Sequence, residues 1–385
     1  MSESKPKSKV RVLLLWNGFQ PGIAQSVQDF LISQGFEVVS VQHPLFDTDN
    51  FRKVTLFKNG LATEIIKQKK SKKIIGYMRD PTWPLHLPDA DIAIGFSCHL
   101  TNRLLRLRRK QRISTVIHWN IDYVPKGKRF KNRWLDFSYR KLDKRAVRMS
   151  NFHVDLTERA LTERLQNYRL NRTDKDLVIP VGLNLMGFSP ATREKYLQKR
   201  LCFIGNLESR LGTGVLIGAV AQLKNKGIDV FLDLIGNGSD LDNLKILSAT
   251  LGVENQVIFH GELDPTGYMP IVKGAAVACA PYLDDSHSFS VYADPSKIKN
   301  YIEGGTPIVM SDVPEIAQKL ANSGAALLAK PDSDSFAVAI EELLQNEERW
   351  FSAAAAVEEF AQLCDWSRVL QPLSGIIEGS EKLQV

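Results

Sequence analysis

Short apolar runs alternate with amphipathic segments along the first half of the chain. Residues 10–15 form a mainly apolar run, apolar positions recur at helical spacing over residues 23–34, and an apolar run returns over residues 37–41. Apolar runs of strand length that alternate with helical patterns are typical of βαβ units in a buried parallel sheet. The same pattern predicts a helix over residues 157–168 and strands at residues 73–77, 92–96, 115–119, 149–156 and 177–181.

A second alternating series begins near residue 200, and several of its predicted strands end beside glycine. The pattern predicts strands at residues 201–204, 230–235, 256–260, 275–280 and 306–310. It predicts helices at residues 215–226, 241–251 and 353–364. Two tandem Rossmann-like, doubly wound α/β domains are the simplest interpretation of two such series.

The chain length supports a division into two domains, because 385 residues exceed what one ordinary hydrophobic core holds. We expect an N-terminal domain over residues 1–186, a second domain over residues 187–366 and a C-terminal tail over residues 367–385. The Lys- and Arg-rich stretch at residues 185–200 is the candidate linker between the domains.

Composition indicates a soluble globular protein, with 44% hydrophobic and 24% charged residues. Residues 1–9 are polar and basic, and no run approaches the roughly 18 apolar residues of a membrane span. We therefore expect a cytoplasmic protein. The cysteines stand apart in mostly apolar stretches, which predicts buried free thiols at Cys98, Cys202, Cys279 and Cys364.

Basic charge is concentrated between Arg103 and Arg148. This segment holds sixteen lysines and arginines against three aspartates, a local charge of +13 in a chain of net charge +7. Its aromatic residues Trp134, Phe137 and Tyr139 suggest contact with an anionic membrane surface at the inner face or with a phosphate-bearing acceptor, and nucleic acid is a less favoured partner. The alternative is a solvated helix face with the aromatic rings turned to the core.

One segment of the second half carries chemistry at both of its ends. Residues 294–303 predict an amphipathic helix that stops at two glycines before an apolar strand, with Asp294 and Lys297 near its start and Glu303 at its end. A glutamate at this place can accept hydrogen bonds from both hydroxyls of a ribose. The opening turn of such a helix offers free N–H groups to phosphates, so the segment predicts a sugar-nucleotide site.

This helix and the glycine-ended strands before it resemble the donor site of retaining, nucleotide-sugar-dependent glycosyltransferases of the GT-B fold (glycosyltransferase family 4-like, group 1). The resemblance covers residues 200–366 well and the first half loosely. It implies two Rossmann-like domains that face a cleft, with a tail that returns to the first domain. The residues that it assigns to donor binding are Gly205, Asn206, Arg210, Gly236, Gly238, Gly261, Lys297 and Glu303.

The sequence departs from the family pattern at two places. The family has two acids with seven residues between them, but Pro295 holds the position of the first acid and Asp294 is the nearest carboxylate. The usual arginine and lysine that neutralise the leaving diphosphate are replaced by Asn206 and Thr213.

Two other cations could replace the missing pair. Arg210 and Lys297 are the nearest cations able to stabilise charge on the leaving group. A solvent-exposed loop arginine is the plain alternative for Arg210.

The resemblance also points to residues of the first domain. His118 follows an apolar strand, and in similar enzymes a histidine at this place binds a hydroxyl of the donor sugar. A histidine satisfied in the core is the alternative. Asp122 and Tyr123 are candidates for contact with donor or acceptor, and Gly22 for the loop that lets the backbone approach them.

Neither a metal nor a cofactor is expected. Three Asp-x-Asp strings begin at Asp47, Asp240 and Asp332, but none ends a strand as a metal site would require, and no His or Cys cluster has ligand spacing. Gly236-x-Gly238 also occurs in dehydrogenases, but Leu241 occupies the place of their third glycine.

These observations predict a metal-independent, retaining glycosyltransferase of cell-surface glycan synthesis. It would move a sugar from a nucleoside-diphosphate sugar to a glycan, lipid-linked or phosphate-bearing acceptor, with His118, Asp294 and Glu303 as its catalytic residues. Two alternatives stay open. One is a GT-B module that binds nucleotides or anions without turnover. The other is a sugar-nucleotide epimerase, which can use the same fold.

Overall fold

The computed structural model describes residues 10–18, 22–43, 51–69, 86–130, 132–283 and 289–382. The chain forms two compact units: unit 1 takes the described residues of Met1–Pro180 and Val369–Val385, and unit 2 takes those of Val181–Arg368. The strand predicted at residues 73–77 and the Asp-x-Asp string at residues 47–49 lie outside the described residues.

Unit 1 is built on one twisted sheet. Its described strands are β1 (Arg11–Asn17), β2 (Glu37–His43), β3 (Phe51–Lys58), β4 (Leu61–Lys69), β5 (Ala90–Gly95), β6 (Ile113–Trp119), β7 (Phe152–Asp155) and β8 (Asp176–Val178). They lie in the order β4-β3-β2-β1-β5-β6-β7-β8. The six strands from β2 across to β8 are parallel, whereas β3 pairs antiparallel with β2 and with β4.

The helices of unit 1 begin at the polar residues that cap them. Ser97, Asn132 and Thr157 each accept hydrogen bonds from backbone N–H groups in the first turn of the helix that follows, which satisfies donors that the helix leaves unpaired. The described helices of this unit are α1 (Ile23–Ser33), α2 (Cys98–Arg109), α3 (Arg133–Met149), α4 (Glu158–Tyr168) and, from the C-terminal segment, α14 (Gln371–Lys382).

The antiparallel hairpin β3–β4 was not predicted. Asn59 and Gly60 connect the strands with φ of 52° and 81°, the left-handed pair that a two-residue hairpin turn requires. The Asn-Gly dipeptide was therefore a usable signal. The parallel strands of unit 1 were predicted to within a few residues, because their apolar runs are buried on both faces, as at Leu13 and Leu14.

Unit 2 has a sheet whose described strands are all parallel. They are β9 (Arg200–Ile204), β10 (Phe231–Ile235), β11 (Val257–Gly261), β12 (Val277–Ala280), β13 (Ile308–Met310) and β14 (Ala326–Leu328). Their order is β11-β10-β9-β12-β13-β14, that of a Rossmann-like doubly wound sheet. The described helices are α5 (Arg193–Leu197), α6 (Thr213–Asn225), α7 (Leu241–Thr250), α8 (Pro265–Gly274), α9 (Ser296–Glu303), α10 (Ile316–Ser323), α11 (Ser333–Leu344), α12 (Glu347–Cys364) and α13 (Trp366–Val369), the last ending in unit 1.

The stretch predicted as a linker is instead a packed part of unit 2. Lys195 and Tyr196 in α5 are buried, and the Tyr196 hydroxyl donates a hydrogen bond to the Leu344 carbonyl at 2.9 Å. The prediction was wrong because we took a run rich in lysine and arginine to be exposed. Long charged side chains can bury their aliphatic parts against apolar surface. All four cysteines are buried and free, as predicted.

Each sheet has one place where the strand order reverses. In unit 1 this switch point lies between β1 and β5, and in unit 2 between β9 and β12. Loops that leave the carboxyl ends of two such strands diverge to opposite faces, and the crevice between them is where open α/β sheets bind ligands. The candidate site and the cavity described in the next subsection lie at these two places.

Candidate functional site

In unit 2 the strand ends beside the switch point are held together by glycines. The Gly205 N–H donates to the Ile235 carbonyl at 3.0 Å, and the Leu207 N–H donates to the Asn237 carbonyl at 2.9 Å. A methyl group on Gly236 would overlap the Gly205 carbonyl, and one on Gly238 would overlap that of Leu207. Both glycines are therefore required for close backbone packing, independently of any ligand.

The side chain of Tyr301 attaches helix α9 to the strands at the switch point. The buried Tyr301 hydroxyl accepts a hydrogen bond from the Ile204 N–H at 2.9 Å and donates one to the Cys279 carbonyl at 3.2 Å. These partners lie in β9 and β12. The two ends of α9 are thereby fixed relative to the strand ends that enclose the crevice.

Lys297 lies in the first turn of α9 and projects between two aromatic rings. Its Nζ is 4.2 Å from the ring centre of Phe203 and 4.6 Å from that of Tyr282. Burial, together with the positive charge of Arg210, lowers the pKa of Lys297 to about 7. Among the described residues no carboxylate lies within ion-pair distance of Nζ, so this amine can accept an anionic ligand.

The other predicted cation is already paired. Arg210 Nε lies 2.6 Å from a carboxylate oxygen of Glu208, and both side chains are partly exposed. Arg210 belongs to a short 3-10 turn, and Gly212 follows it with φ of 71°. A methyl group on Gly212 would overlap the Pro281 carbonyl, so this loop is held against the segment that leaves β12. Asn206 is exposed beside it.

Glu303 ends α9 with a half-buried carboxylate that has no hydrogen-bond partner among the described residues. Burial raises the pKa of Glu303, and the charge of Lys273 opposes that rise. Oε1 lies directly over the backbone of Gly187, where a methyl group would overlap it. The backbone carbonyl of Glu303 accepts a hydrogen bond from the Ser189 N–H at 2.9 Å. The carboxylate is therefore positioned by its neighbours yet free to accept hydrogen bonds.

Sequence reasoning missed a lysine that supports this arrangement. Lys195 is buried, and its Nζ donates to the carbonyl of Gly304 at 2.5 Å, immediately after Glu303. Burial lowers the pKa of Lys195 to about 8. A cation at the end of a helix satisfies its last carbonyls. No local signal could have revealed this contact, since the partners are 109 residues apart.

Asp294 requires a correction. We predicted that it positions the transferred sugar, but its carboxylate is buried, accepts a hydrogen bond from the Val181 N–H at 2.6 Å and pairs with Lys299 Nζ at 3.2 Å. Both side chains are at most 5% exposed. A carboxylate that is used in this way anchors the start of unit 2 and has no exposed oxygen for a sugar.

His118 requires a correction of the same kind. The ring is fully buried, with Nδ1 2.8 Å from the Thr101 hydroxyl and Nε2 3.3 Å from the Asp143 carboxylate. It stacks on His153 with ring centres 5.8 Å apart. Burial lowers its pKa, although Asp143 acts in the opposite direction. Both ring nitrogens have protein partners, so the alternative of a satisfied core histidine describes this residue.

Of the remaining candidates in unit 1, one is buried in the core and two line a cavity. Tyr123 is only 4% exposed, and its hydroxyl accepts a hydrogen bond from Asn167 at 2.7 Å. The prediction that Tyr123 contacts substrate is therefore corrected as well. Asp122 and Gly22 both line a cavity of about 350 Å³ at the switch point of unit 1. Asp122 does not cap a helix but pairs with Arg129 Nη2 at 2.7 Å.

The described Asp-x-Asp strings lie at helix starts. Asp332 accepts a hydrogen bond from the Ser335 N–H at 2.7 Å, and Asp240 precedes α7 and accepts one from the Asn243 amide at 2.9 Å. Gly261 ends β11 with φ of 72° and open space around it. In the described part of the chain, no group of three or more His, Cys, Asp or Glu side chains is placed to hold a metal ion.

Comparisons with known proteins agree with this geometry. Residues 198–346 match the model of the family Glycosyl transferases group 1. The chain is 28% identical over 228 residues to the phosphatidyl-myo-inositol mannosyltransferase of Mycobacterium leprae, covering 57% of this chain and 58% of that one. It is 27% identical over 194 residues to the D-inositol 3-phosphate glycosyltransferase of Corynebacterium aurimucosum, covering 49% and 44%. The chain thus spans about half the length of the curated relatives it matches.

The fold has counterparts among solved structures. HepE of Anabaena, solved in complex with UDP, matches 96% of this chain and 100% of its own with a TM-score of 0.68 at 14% identity. At this identity the likeness shows the fold alone. The predicted resemblance to group 1 glycosyltransferases and the predicted GT-B fold are both confirmed.

Proposed function

Because the chain carries a group 1 glycosyltransferase domain in a GT-B fold, we propose that it is a retaining, metal-independent glycosyltransferase that uses a nucleoside-diphosphate sugar. One observation carries the proposal. At the switch point of unit 2, the two ends of α9 present Lys297, an ammonium group, and Glu303, a carboxylate. Among the residues that the structure describes, the first has no carboxylate partner and the second has no hydrogen-bond donor. A ribose joined to a diphosphate supplies the partners that both groups lack.

The binding roles follow from the charges. Glu303 would accept hydrogen bonds from the ribose hydroxyls. Lys297 would pair with the diphosphate, helped by Arg210 and by the unpaired N–H groups at the start of α9, whose first residue has no side-chain cap. Glu303 follows Lys297 by six positions, a rise of about 9 Å along the helix axis, so one helix would contact both ends of the donor's nucleotide part.

Catalysis would depend on positioning and on stabilisation of the leaving diphosphate. Lys297 donates positive charge where negative charge develops on the phosphate oxygens, the task that a divalent cation performs in metal-dependent enzymes. This is why we propose a reaction without a metal. We also propose that the reaction retains the anomeric configuration. The proposed donor is a nucleoside-diphosphate sugar, and the proposed acceptor is a glycan or a lipid-linked or phosphate-bearing molecule.

A transfer assay tests this function. The purified protein would be incubated with UDP-, GDP- and ADP-sugars and a panel of glycan and lipid-linked acceptors, with and without EDTA, and the anomeric configuration of the product read by NMR. We expect one donor series to give a product of retained configuration at an EDTA-independent rate. Loss of transfer with EDTA, or an inverted product, would contradict the proposal.

The two alternatives give different results in the same assay. An epimerase would convert the donor sugar without any acceptor, which NMR of the donor alone would reveal. A module without turnover would bind a nucleotide tightly while forming no product over the whole acceptor panel. The pairing of Arg210 with Glu208 favours this second alternative over the epimerase, because it weakens one of the two diphosphate cations.

A surface of unit 1 suggests where the protein encounters a lipid-linked acceptor. Trp134 and Phe137 on α3 are 80% and 61% exposed, so these two rings do not turn to the core. Tyr139 is partly buried and contacts the rings of His99 and Phe130. On α2, on α3 and in the segment before α3, the side chains exposed to solvent include Arg106, Arg109, Lys126, Lys128, Arg133, Lys141, Lys144 and Arg148. We name this set the basic aromatic surface. Aromatic rings that project among cations suit the interface of an anionic membrane.

We therefore propose that the basic aromatic surface docks the protein on anionic lipid, where lipid-linked acceptors are found. In the described part of the chain no helix is long and apolar enough to cross a membrane. Flotation with vesicles of phosphatidylglycerol and phosphatidylcholine tests this. We expect binding that weakens from 50 to 300 mM salt and falls in Trp134→Ser/Phe137→Ser, but not in Phe231→Ser, which changes a ring of unit 2 that is 40% exposed. Equal binding by both variants would contradict the docking proposal.

A further inference from the structure

Three arginines of unit 1 lie on the side of α2 that faces α3. Asn102, Arg106 and Arg109 occupy positions i, i+4 and i+7 of α2, which places them in one stripe along the helix. Arg145 of α3 reaches the same stripe, because its Nη1 donates a hydrogen bond to Oδ1 of Asn102 at 2.7 Å. We name Arg106, Arg109 and Arg145 the arginine cluster.

The buried amide of Asn102 fixes the direction of the Arg145 guanidinium. Asn102 is 4% exposed, and its Nδ2 donates to the Cys98 carbonyl at 2.7 Å and to the Leu142 carbonyl at 2.9 Å. Because both amide hydrogens are used, Asn102 offers only its oxygen to Arg145. A guanidinium has five N–H donors. Arg145 uses one of them in this contact, and the described residues supply no partner for the others.

The charges of the arginine cluster are not neutralised within the protein. In the part of the chain that the structure describes, none of the three arginines forms an ion pair with a carboxylate. Burial lowers the pKa of Arg145, and the positive charges of Arg109 and Arg106 lower it further. By contrast, Arg112 just after α2 pairs with Asp89 at 2.6 Å.

The helix dipole of α2 explains only part of this arrangement. Cations in the last turn of a helix are stabilised by its dipole, and this accounts for Arg106 and Arg109 without a ligand. Arg108 in the same turn is used inside the protein, since it donates to the Met149 carbonyl at 2.7 Å. Arg145 belongs to another helix and is held near two like charges, which costs free energy unless an anion is bound.

The place of the cluster in the fold separates it from the switch points. Helix α2 starts after the carboxyl end of β5 and ends before the first residue of β6. Its 12 residues span about 18 Å, so its last turn lies toward the amino ends of the strands. Ligands of open α/β sheets bind at the carboxyl ends. The cluster is therefore a separate feature from the cavity of unit 1.

A phosphate monoester matches three converging guanidinium groups better than a phosphodiester does. Near pH 7 a monoester carries a charge of about −1.5 to −2 and has three acceptor oxygens, whereas a diester carries less charge and has fewer free oxygens. The planar fork of a guanidinium binds two such oxygens through parallel N–H donors. A monoester would neutralise the cluster and satisfy the free donors of Arg145.

We propose that the arginine cluster is a binding site for a phosphate monoester. The ester is supplied by a lipid headgroup or by a soluble molecule, since both present the same group. The site goes beyond sugar transfer. It rests on the docking proposal only where the ester is a lipid, because Arg106 and Arg109 belong to the basic aromatic surface. It predicts selectivity for one headgroup, which a diffuse positive charge does not give.

Flotation with vesicles of matched surface charge tests this selectivity. Phosphatidylcholine vesicles would contain either phosphatidic acid or phosphatidylglycerol and be adjusted to the same zeta potential at neutral pH. We expect the wild type to bind the phosphatidic acid vesicles about tenfold more tightly. Arg106→Lys/Arg109→Lys should remove the preference, because lysine keeps the charge but lacks the planar fork. Arg133→Lys, which changes an exposed arginine of the same surface, should retain it.

Calorimetry with soluble esters identifies the source of the phosphate. The probes are sn-glycerol 3-phosphate and, as the diester, dimethyl phosphate. A site for a soluble ester should bind glycerol 3-phosphate with millimolar affinity, bind it about tenfold more weakly in Arg106→Lys/Arg109→Lys and ignore dimethyl phosphate. These titrations would use the Lys297→Met background, which removes the anion-binding amine of the proposed donor site. A preference for phosphatidic acid without this binding would assign the site to lipid.

Two results would overturn the inference. In the first, both kinds of vesicle bind equally and no glycerol 3-phosphate binding is weakened in Arg106→Lys/Arg109→Lys. In the second, the preference for phosphatidic acid persists in that variant. Both substituted side chains are exposed, so the variant should fold. Loss of phosphatidylglycerol binding in Trp134→Ser/Phe137→Ser reports on docking, and sugar transfer reports on unit 2, so the failure of each proposal is visible alone.

Discussion

The two switch points of this molecule have the same topology and opposite chemistry. In unit 2, the crevice between β9 and β12 holds a lysine and a glutamate that have no ion-pair or hydrogen-bond partner for their charged groups in the described part of the chain. In unit 1, the crevice between β1 and β5 holds an aspartate and an arginine that already neutralise each other. Strand order decides where a ligand binds. The side chains that follow the strands decide whether it is charged.

The units also differ in how their strand ends are held in place. Unit 2 uses glycines that let neighbouring loops touch, together with the single hydroxyl of Tyr301. Unit 1 uses a buried ionic network in which Arg164 contacts the carboxylates of Asp143 and Asp155 at 2.5 and 2.9 Å. Replacing part of such a network leaves charge buried, which is costly. The stability of unit 1 should therefore respond to pH through the groups of this network.

The largest expected effect concerns the ammonium group of Lys297 in unit 2. Lys297→Met should lower kcat/KM for transfer about 100-fold, because a preorganised cation at a developing negative charge is worth about 3 kcal/mol. The variant should not unfold. Burial lowers the pKa of Lys297 in the folded state, so between its folded value and its higher unfolded value the unfolded chain binds more protons. Lys297→Met should thus raise the melting temperature at pH 7.5 while it removes activity. Lower stability with full activity would contradict this.

The same lysine predicts a pH dependence. With a pKa of about 7, Lys297 is protonated at pH 6 and mostly neutral at pH 9, so affinity for a nucleotide-sugar should fall as pH rises across this range. A nucleotide-sugar is the suitable ligand, because its diphosphate does not titrate there. Calorimetry on the wild type and on Lys297→Met checks this. An equal slope in both would show that another group titrates.

Glu303 should account for a somewhat smaller effect. Glu303→Ala removes two hydrogen bonds to a charged acceptor, so kcat/KM should fall about 30-fold, chiefly through KM. Glu358→Ala, an exposed glutamate on α12, is the control. Unchanged donor affinity and turnover in Glu303→Ala would show that the site is wrongly assigned.

A substitution at Gly187 tests whether the position of the Glu303 carboxylate matters for nucleotide binding. A methyl group on Gly187 overlaps the Glu303 carboxylate, so Gly187→Ala should move that carboxylate aside and weaken nucleotide binding about tenfold with little loss of stability. Gly375→Ala, where a methyl group meets open space, is the matched control. If Gly187→Ala acts through Glu303, it should have no further effect in the Glu303→Ala background.

The smallest effect concerns the stability of unit 1. Burial lowers the pKa of His153, but Asp155 and Asp176 outweigh it and raise the pKa overall. The stability this residue contributes is present below its unfolded pKa and is lost as pH rises through the folded value. For His118, whose folded pKa is lowered, stability is lost as pH falls through the unfolded value. The free energy of opening that hydrogen exchange reports for β6 and β7 should therefore be largest near neutral pH and should fall on either side.

Two histidine variants test the predicted pH dependence of hydrogen exchange in unit 1. His260→Gln alters a histidine of unit 2 that is 26% exposed, and it should leave exchange in unit 1 unchanged. His153→Gln should remove the loss at alkaline pH. Exchange in β6 and β7 that simply follows the chemical rate of each amide across this pH range would contradict the proposed role of the two histidines.

The sequence predicted the parallel sheets and the position of α9, because apolar runs and glycine-ended strands are local signals. It did not predict the direction of individual side chains. His118 and Trp119 are neighbours at the end of β6, yet His118 faces Thr101 and Asp143 in the core while Trp119 lines the cavity. Successive residues of a strand alternate between faces, and nothing local states which face bears the ligand.

Asp294 teaches the same lesson for a helix start. Its place beside Pro295 suited a sugar-binding acid, but its partners are the Val181 N–H and Lys299, and the first of these is 113 residues away in the chain. Lys195 and Gly187, which position the region around Glu303, also act through contacts distant in sequence. Local patterns therefore located the site but could not distinguish the residues that bind from those that support them.

Nucleotide binding tests the central claim most directly. Wild type, Glu303→Gln and Asp122→Asn would be titrated by calorimetry with UDP, GDP and ADP, without and with EDTA. We predict micromolar binding of one nucleoside diphosphate that survives EDTA, falls about tenfold in Glu303→Gln and is unchanged in Asp122→Asn. Absence of binding to all three, or binding that Glu303→Gln leaves intact, would contradict the assignment of the donor to the switch point of unit 2.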